Sequence, residues 1–491
     1  MKLLYNAVRR RRQPLDWRPR GRVTLMEAGN HADQRMLRLK QCLGEIPGEL
    51  RALRVPGRVN LIGEHTDYNN CPVFPMAVNR EVLALFCARQ DRIIRVRDTQ
   101  PDYGSIEFPV ETQIAPDKAG SWGNYFKAGI QEMILSAESL PSDIGALRGF
   151  DMAIDSTIPP AAGMSSSSAL VVLASLAFLA VNNAAPATRS GRLALAELCA
   201  RGERYTGTQG GGMDQAAILL GRAGHAMKID FNPLRSREAP LPQAHVIVVA
   251  HSTVSAPKTQ SMMDAYNRRS IECRLAAALV AAHARRERGI EGIEYIGDLT
   301  AQKTGLSETE VETLVQAAVS SQPYRLADLA AGLGVSEHEV QQRWCLRRNG
   351  SVFPEPDDGF LIHKRLSHVY REWHRVERSV EALESGDIGL FGTLMNESHA
   401  SCRDLHQVSC RELDLLTDIS RRAGAGGARL TGAGFGGCTV NLVPRESLDG
   451  YLDEVGRRYY RDQMGLDEWE DYLFVVEASD GAGPAELPAG V

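Results

Sequence analysis

The segment Val55 to Tyr68 reads VPGRVNLIGEHTDY and places Glu64, His65 and Asp67 directly behind Val59, Leu61 and Ile62. Polar groups set near a core must be paired, and charged ones cost most when they are not. Two chemistries fit this cluster. One is a polyol ligand: a carboxylate can hold two hydroxyls, and Glu, His and Asp together can hold most of a hexose. The other is a polar strand-to-turn corner that hydrogen-bonds to itself.

A second stretch, AAGMSSSSALVVLASLAFLAV from Ala161 to Val181, opens a small-residue loop into an apolar helix. Helix N-termini carry unpaired N–H groups and partial positive charge, so such a loop can cradle phosphate. It is not a Walker loop, because no lysine follows the glycine. A linker before a core helix, with serines as N-caps, describes the same letters. A third stretch, GERYTGTQGGGMDQ, runs from Gly202 to Gln215 and delivers Asp214 behind three glycines. Glycines there let the backbone pass close to something, either a ligand or a packing crossing. A fourth, LTGAGFGGCTVNLV from Leu430 to Val443, contains the GxGxxG spacing at Gly432, Gly434 and Gly437. A dinucleotide fingerprint should open a helix, whereas this one opens an apolar strand.

The elements that must hold these stretches are readable in outline. Leu53–Val59, Glu81–Ala88 and Ile93–Val96 read as strands, and Trp122–Leu135 as a helix. Phe150, Met152 and Ile154 alternate in the manner of a half-buried strand. Arg192–Thr206 reads as a helix, and Val246–Ala250 as a buried strand. Tyr324–Trp344 reads as two helices about a glycine turn, a helix-turn-helix pattern. Its second helix offers Glu337, His338, Glu339, Gln341 and Gln342, too acidic for a nucleic-acid reader. His363, His368 and His374 share one predicted helix, on faces too different to hold a metal.

At 491 residues the chain suits two domains. Its 43% hydrophobic and 24% charged content is ordinary for a globular protein, and a net charge of −5 carries no footprint for nucleic acid or membrane. Nine cysteines without CxxC spacing favour reduced thiols in a cytoplasmic compartment. Arg9–Arg12, with Arg18, Arg20 and Arg22, form a basic N-terminus without an apolar core, read as a solvated tail.

Together the first, second and third stretches resemble the signatures of the GHMP small-molecule kinases, in the galactokinase branch. The likeness is nearest to N-acetylgalactosamine kinases, then to fungal-type galactokinases, and runs from about Leu53 to about Val476. It implies a two-domain α/β (α+β) fold with the site in the interdomain cleft. The implied bounds are a tail at 1–45, an N-terminal domain at 46–240, a C-terminal domain at 241–480 with a helical insertion at about 290–350, and a tail at 481–491. It implies ATP as co-substrate, Mg²⁺ as cofactor, and a sugar phosphorylated at its anomeric hydroxyl. By the family pattern Asp214 and Arg58 are catalytic, and Glu64, His65, Asp67 and Tyr266 join them on the sugar. Gly163, Ser165, Ser166 and Ser167 cradle phosphate, Lys258 contacts the nucleotide, and Ser167 and Glu203 hold the metal. The glycine expected first in the phosphate loop is Ala161 here, which would weaken ATP binding if the loop needs a positive φ. The resemblance also implies a monomer without nucleic-acid or membrane partners. Catalytically weak sugar sensors resemble this branch but lack a Ser-Ala pair in the second motif; this chain keeps Ser168-Ala169.

Overall fold

The computed structural model describes residues 28–488 apart from 119, 137, 139, 141–142, 160–161, 208–210, 255–259 and 348–349. Lys258, Ala161 and the Arg9–Arg22 stretch therefore lie outside the described residues.

Helix α1 (Ala28–Leu43) precedes strand β1 (Arg51–Ile62), which carries the first motif. β1 pairs with β2 (Phe74–Ala88) on one edge and with the short β12 (Gly483–Pro484) on the other. The full sheet has the order β12-β1-β2-β5-β3-β4, with β3 at Ile93–Asp98, β4 at Ser105–Pro109 and β5 at Phe150–Ser156. Val55, Val59, Leu61 and Ile62 of β1 are all fully buried. Register breaks between Pro56 and Arg58 and between Asn60 and Ile62. Such irregularities bend a strand and re-aim its side chains, and here they frame Arg58.

Helices α2 (Gly123–Ser136), α3 (Ser166–Val181), α4 (Arg189–Gly202) and α5 (Met213–Leu220) follow. α3 is buried around most of its circumference, between α2 and the strands β1 and β2. That is the position a helix apolar on every side must take. A hairpin of β6 (His225–Asp230) and β7 (Arg235–Pro240) leads to a second antiparallel sheet, ordered β11-β8-β10-β9. Its strands are β8 (His245–His251), β9 (Gly427–Thr431), β10 (Cys438–Pro444) and β11 (Leu473–Val476). The long helix α6 (Gln260–Arg288) is followed by the short α7 (Ala301–Thr304) and packs against α8 (Glu308–Ala318), α9 (Leu326–Leu333) and α10 (Glu337–Trp344). These close a separate apolar cluster that includes Leu275, Leu279, Val311, Leu329, Val340 and Phe360. Gly334 is left-handed between α9 and α10, and Ser336 caps α10, as the glycine-turn pattern predicts. α11 (Ile362–Ser385), α12 (Ile388–Ser401), α13 (Arg411–Arg422) and α14 (Leu448–Val455) complete the chain.

Three expectations change. Ala28–Leu43, assigned to the basic tail, is a helix that buries Met36, Leu39 and Leu43 against Ala52, Leu83, Leu85 and Ala153. The apolar i, i+3, i+7 spacing explains it. β5 is buried on both faces rather than half-buried. Its acids are neutralised in place: Asp151 accepts from Arg89 at 2.8 Å, and Asp155 from Arg35 at 2.9 Å and Arg38 at 3.1 Å. Burial pushes the Asp155 carboxyl up, but these arginines bring it below its ordinary value. Finally, Gly483 and Pro484, assigned to the C-terminal tail, lie opposite Arg54 and Leu53 in the first sheet.

Candidate active site

Asp214 sits in the first turn of α5, where acidic side chains are favoured by the helix dipole. Arg58 approaches it from the register break in β1: its Nε donates to Asp214 Oδ1 at 2.7 Å, and Nη2 lies 2.6 Å from the same oxygen. Nη1 of Arg58 donates to the Gly163 carbonyl at 2.5 Å. One guanidinium thus joins the first stretch, the small-residue loop and the Asp214 helix. Ser165 donates to the other carboxylate oxygen of Asp214 at 2.5 Å.

Glu203 begins a short 3₁₀ turn at the end of α4 and is buried. The hydroxyl that meets it is Ser168, which donates to Glu203 Oε1 at 2.5 Å and lies 3.4 Å from Asp214 Oδ2. The serine expected to meet the ion with Glu203, Ser167, has Ser168 as its neighbour in this contact. Ser165, left-handed just before α3, and Ser168 in its first turn both reach Asp214 Oδ2, whereas Ser167 points about 100° away from Ser168. Burial, and then the charge of Asp214, push the Glu203 carboxyl up to about 7. Ser166 and Ser167 are half-buried in the first turn of α3, behind the left-handed Gly163.

The second cluster lies on the same side of β1. Asp67 Oδ2 accepts from the Gly211 N–H at 2.8 Å. A Cβ on Gly211 would stand 2.4 Å from the Asp67 carbonyl carbon, so the glycine makes this approach possible. Burial pushes the Asp67 carboxyl up to about 6. Glu64 is buried and accepts from the Gly432 N–H at 2.8 Å and from Arg429 Nη1 at 3.3 Å. Burial raises its carboxyl above the ordinary value, against the pull of Arg429 and Arg58. His65 Nε2 lies 3.2 Å from the Ala433 carbonyl, and burial lowers the imidazole to about 3. Tyr266, on α6, brings its ring to 5.8 Å from that of His65.

The glycine-rich fourth stretch, between β9 and β10, thus touches the first through Glu64 and His65. His65, Ser165 and Phe435 are all left-handed, one in each of three motifs. Such conformations cost non-glycine residues roughly 1–3 kcal/mol each and cluster where a site imposes them.

Several partners had no signal in the sequence. Arg429 is fully buried and also donates to the Asn60 carbonyl at 3.0 Å and to Ser398 at 3.1 Å. Glu372 of α11 accepts from the Gly63 N–H at 2.9 Å. Both hold the Gly63–His65 corner from more than 300 residues away. Lone buried charges in a long sequence do not announce their partners. Ser168 differs: its three-residue spacing from Ser165 on a predicted helix was legible.

Comparison with known proteins bears on this arrangement. The galactokinase galactose-binding signature matches residues 44–87, the GHMP kinase N-terminal domain 124–222, and the GHMP kinase C-terminal domain 379–461. A galactokinase of Roseiflexus is 34% identical over 88% of this chain and 92% of its own length. A Dictyostelium discoideum galactokinase is 32% identical over 83% of each chain. The crystal structure of Lactococcus lactis galactokinase complexed with galactose superposes with a TM-score of 0.67 at 26% identity, covering 94% of this chain and 100% of that one. A Methanococcus jannaschii mevalonate kinase, at 17% identity and a TM-score of 0.52, shares the fold. The chain belongs to the galactokinase family of GHMP kinases and is a sugar kinase.

Proposed function

We propose that the protein transfers the γ-phosphoryl group of ATP to the anomeric hydroxyl of galactose, giving the sugar 1-phosphate. The observation that carries this reading is the convergence of Arg58, Ser165 and Ser168 on Asp214, with Glu203 bonded to the same Ser168. The matched relatives named galactokinase favour galactose over N-acetylgalactosamine, and they lend no support to a sensor.

Phosphoryl transfer needs positioning and charge neutralisation more than covalent help. Asp214 contacts the anomeric hydroxyl, accepting its proton or orienting it for attack. Arg58 stabilises charge on the transferring group and holds Asp214 in register with the loop at Gly163. Gly163, Ser165 and Ser166 offer phosphate a helix N-terminus, and Lys258 contacts the nucleotide. Glu64, His65, Asp67 and Tyr266 hold the sugar. A site built on hydroxyl-specific hydrogen bonds rejects an epimer strongly, because mispairing leaves buried polar groups unsatisfied.

Mg²⁺ suits the donors present. Glu203, Ser168 and Asp214 are hard oxygen ligands, and Mg²⁺ typically takes one or two carboxylates with substrate phosphates. No group of three or more His, Cys, Asp or Glu side chains forms a metal cage among the described residues, and this arrangement needs none. When bound, the ion supplies charge neutralisation at the phosphates. Glu203 and Ser168 would hold it.

The nine free cysteines fit a reducing cytoplasm, and no helix among the described residues is long and apolar enough to cross a membrane. A monomer acting on small molecules alone completes the proposal. Turnover of galactose beside N-acetylgalactosamine, with the product's phosphorylated carbon assigned by NMR, tests it. Galactose 1-phosphate is the expected product. Phosphorylation at another carbon, or no turnover while sugar and ATP still bind, would overturn it.

A further inference from the structure

Three buried imidazoles stack beside the sugar corner. The His406 ring lies 4.5 Å from that of His65 and 4.4 Å from that of His368, tilted 34° to each. They come from three elements: His65 follows β1, His368 lies on α11, and His406 ends a π-helical turn after α12. His368 and His406 are fully buried and His65 is 6% exposed. Tyr68 bridges His65 and the central His406, its hydroxyl 3.1 Å from His65 Nδ1 and 3.1 Å from His406 Nε2.

The hydrogen positions in this array follow from its acceptors. A carbonyl only accepts, so His65 Nε2 must carry its proton toward Ala433. Burial keeps the ring neutral, which leaves Nδ1 as an acceptor. Tyr68 must therefore donate to Nδ1. Its only proton is then spent, so His406 Nε2–H must donate to the Tyr68 oxygen. His406 Nδ1 is left bare, and it has no hydrogen-bond partner. His368 obeys the same logic: Nε2–H donates to the Glu64 carbonyl at 3.0 Å, and Nδ1 accepts from Ser401 at 2.8 Å. The opposite tautomer of His406 would place a bare nitrogen against Tyr68 and bury an unpartnered N–H at Nδ1.

We infer that His406, acting through Tyr68, is a positioning residue that keeps His65 a neutral Nε2–H donor when a sugar hydroxyl, which can donate or accept, faces it in place of the Ala433 carbonyl. The inference rests on the proposed sugar-binding role of His65. That N–H lies against the Ala433 carbonyl of the glycine-rich loop. Sugar entry exchanges this carbonyl for a hydroxyl oxygen without a proton shift or ring flip. His368, stacked behind His406 and bonded to the Glu64 backbone, holds the plane of the array. Arg269 and Arg365, whose charges disfavour a proton on His406, reinforce its neutrality. Arg269 is itself tied to the His406 carbonyl at 3.3 Å and the Gln407 carbonyl at 2.9 Å.

The test pairs His406→Leu with His406→Gln in the full-length protein. Leucine keeps bulk but removes the donor, whereas the glutamine amide returns one. The expected result for His406→Leu is a rise of about tenfold in KM for galactose, with KM for ATP unchanged, because one hydrogen bond of about 1.4 kcal/mol corresponds to tenfold. His406→Gln should recover most of it. Nitrogen-15 NMR of the His65 ring gives a readout independent of turnover. With galactose bound, wild type should show the Nε2–H tautomer alone, and His406→Leu a mixture. An unchanged His65 tautomer in His406→Leu, or equal rises in both KM values, would overturn the inference. Failure of the wild-type enzyme to use galactose would instead sink the galactose reading and leave the tautomer result standing.

Discussion

Glu203 shows what burial does to the carboxylate proposed to hold the metal. Its environment holds it near pKa 7, through burial first and the Asp214 charge second. A cation binds the ionised form, so affinity should be flat above pH 7. Below pH 7 it should fall by up to about tenfold per unit. Mn²⁺ titration followed by electron paramagnetic resonance at pH 6, 7 and 8 checks this, and a pH-independent affinity would contradict it. Ser168→Ala should weaken the same binding, whereas Ser167→Ala should leave it near wild type. Arg58, Glu64, Asp67 and Asp214 stood out in the sequence because charge beside apolar or glycine runs is locally anomalous. Motif position pointed to Ser167, whereas the hydroxyl bonded to Glu203 belongs to Ser168, about 100° round the helix.

At the scale of elements, α11 does more than cover the core. Its His368 is neutral and buried, lowered to about 4 chiefly by burial. Between pH 4 and 6.5 the unfolded chain binds a proton at this residue that the folded protein refuses. Its contribution is therefore intact above about pH 6.5 and shrinks as pH falls, by up to about 1.4 kcal/mol per unit. Asp67 and Glu203 act with the opposite sign in an overlapping window, since their folded pKa values are raised. A comparison against His368→Gln isolates the histidine. The stability gap between wild type and variant should narrow as pH drops from 6.5 to 4 in urea titrations, and a constant gap would contradict the assignment. Element types were legible where periodicity was strong, as in β1, α3 and α10. β5 was misjudged because Asp151 and Asp155 look solvent-facing until Arg35, Arg38, Arg89 and Arg95 are seen to cover them. The histidine array was illegible, since Tyr68 and His406 are 338 residues apart.

Across the whole molecule, Arg429 ties the second sheet to the first. It bonds the Asn60 carbonyl and Glu64 of the first motif from strand β9, while Thr431 of the same strand accepts from the Asn60 N–H at 3.0 Å. Breaking a buried ion pair by removing one partner typically costs about 3–5 kcal/mol. Arg429→Met should lower the urea midpoint accordingly with little change in slope, and a loss below about 1 kcal/mol would contradict this role. The same tie places the glycine-rich loop against the Gly63–His65 corner, so packing between the sheets and shaping of the proposed site are one structural problem. The two-part architecture could be anticipated from length and motif order. The return of the C-terminal strand to β1 could not, since Gly483 and Pro484 carry no strand pattern of their own.

In the proposed mechanism Asp214 serves the reaction and not the assembly of the sugar site. Asp214→Asn keeps the shape and still accepts from Arg58. The most direct measurement is therefore its kcat for galactose 1-phosphate formation, alongside galactose affinity by calorimetry. The account predicts a loss of about 100- to 10,000-fold in kcat, with galactose affinity within a few-fold of wild type. A variant with near-normal kcat would contradict it.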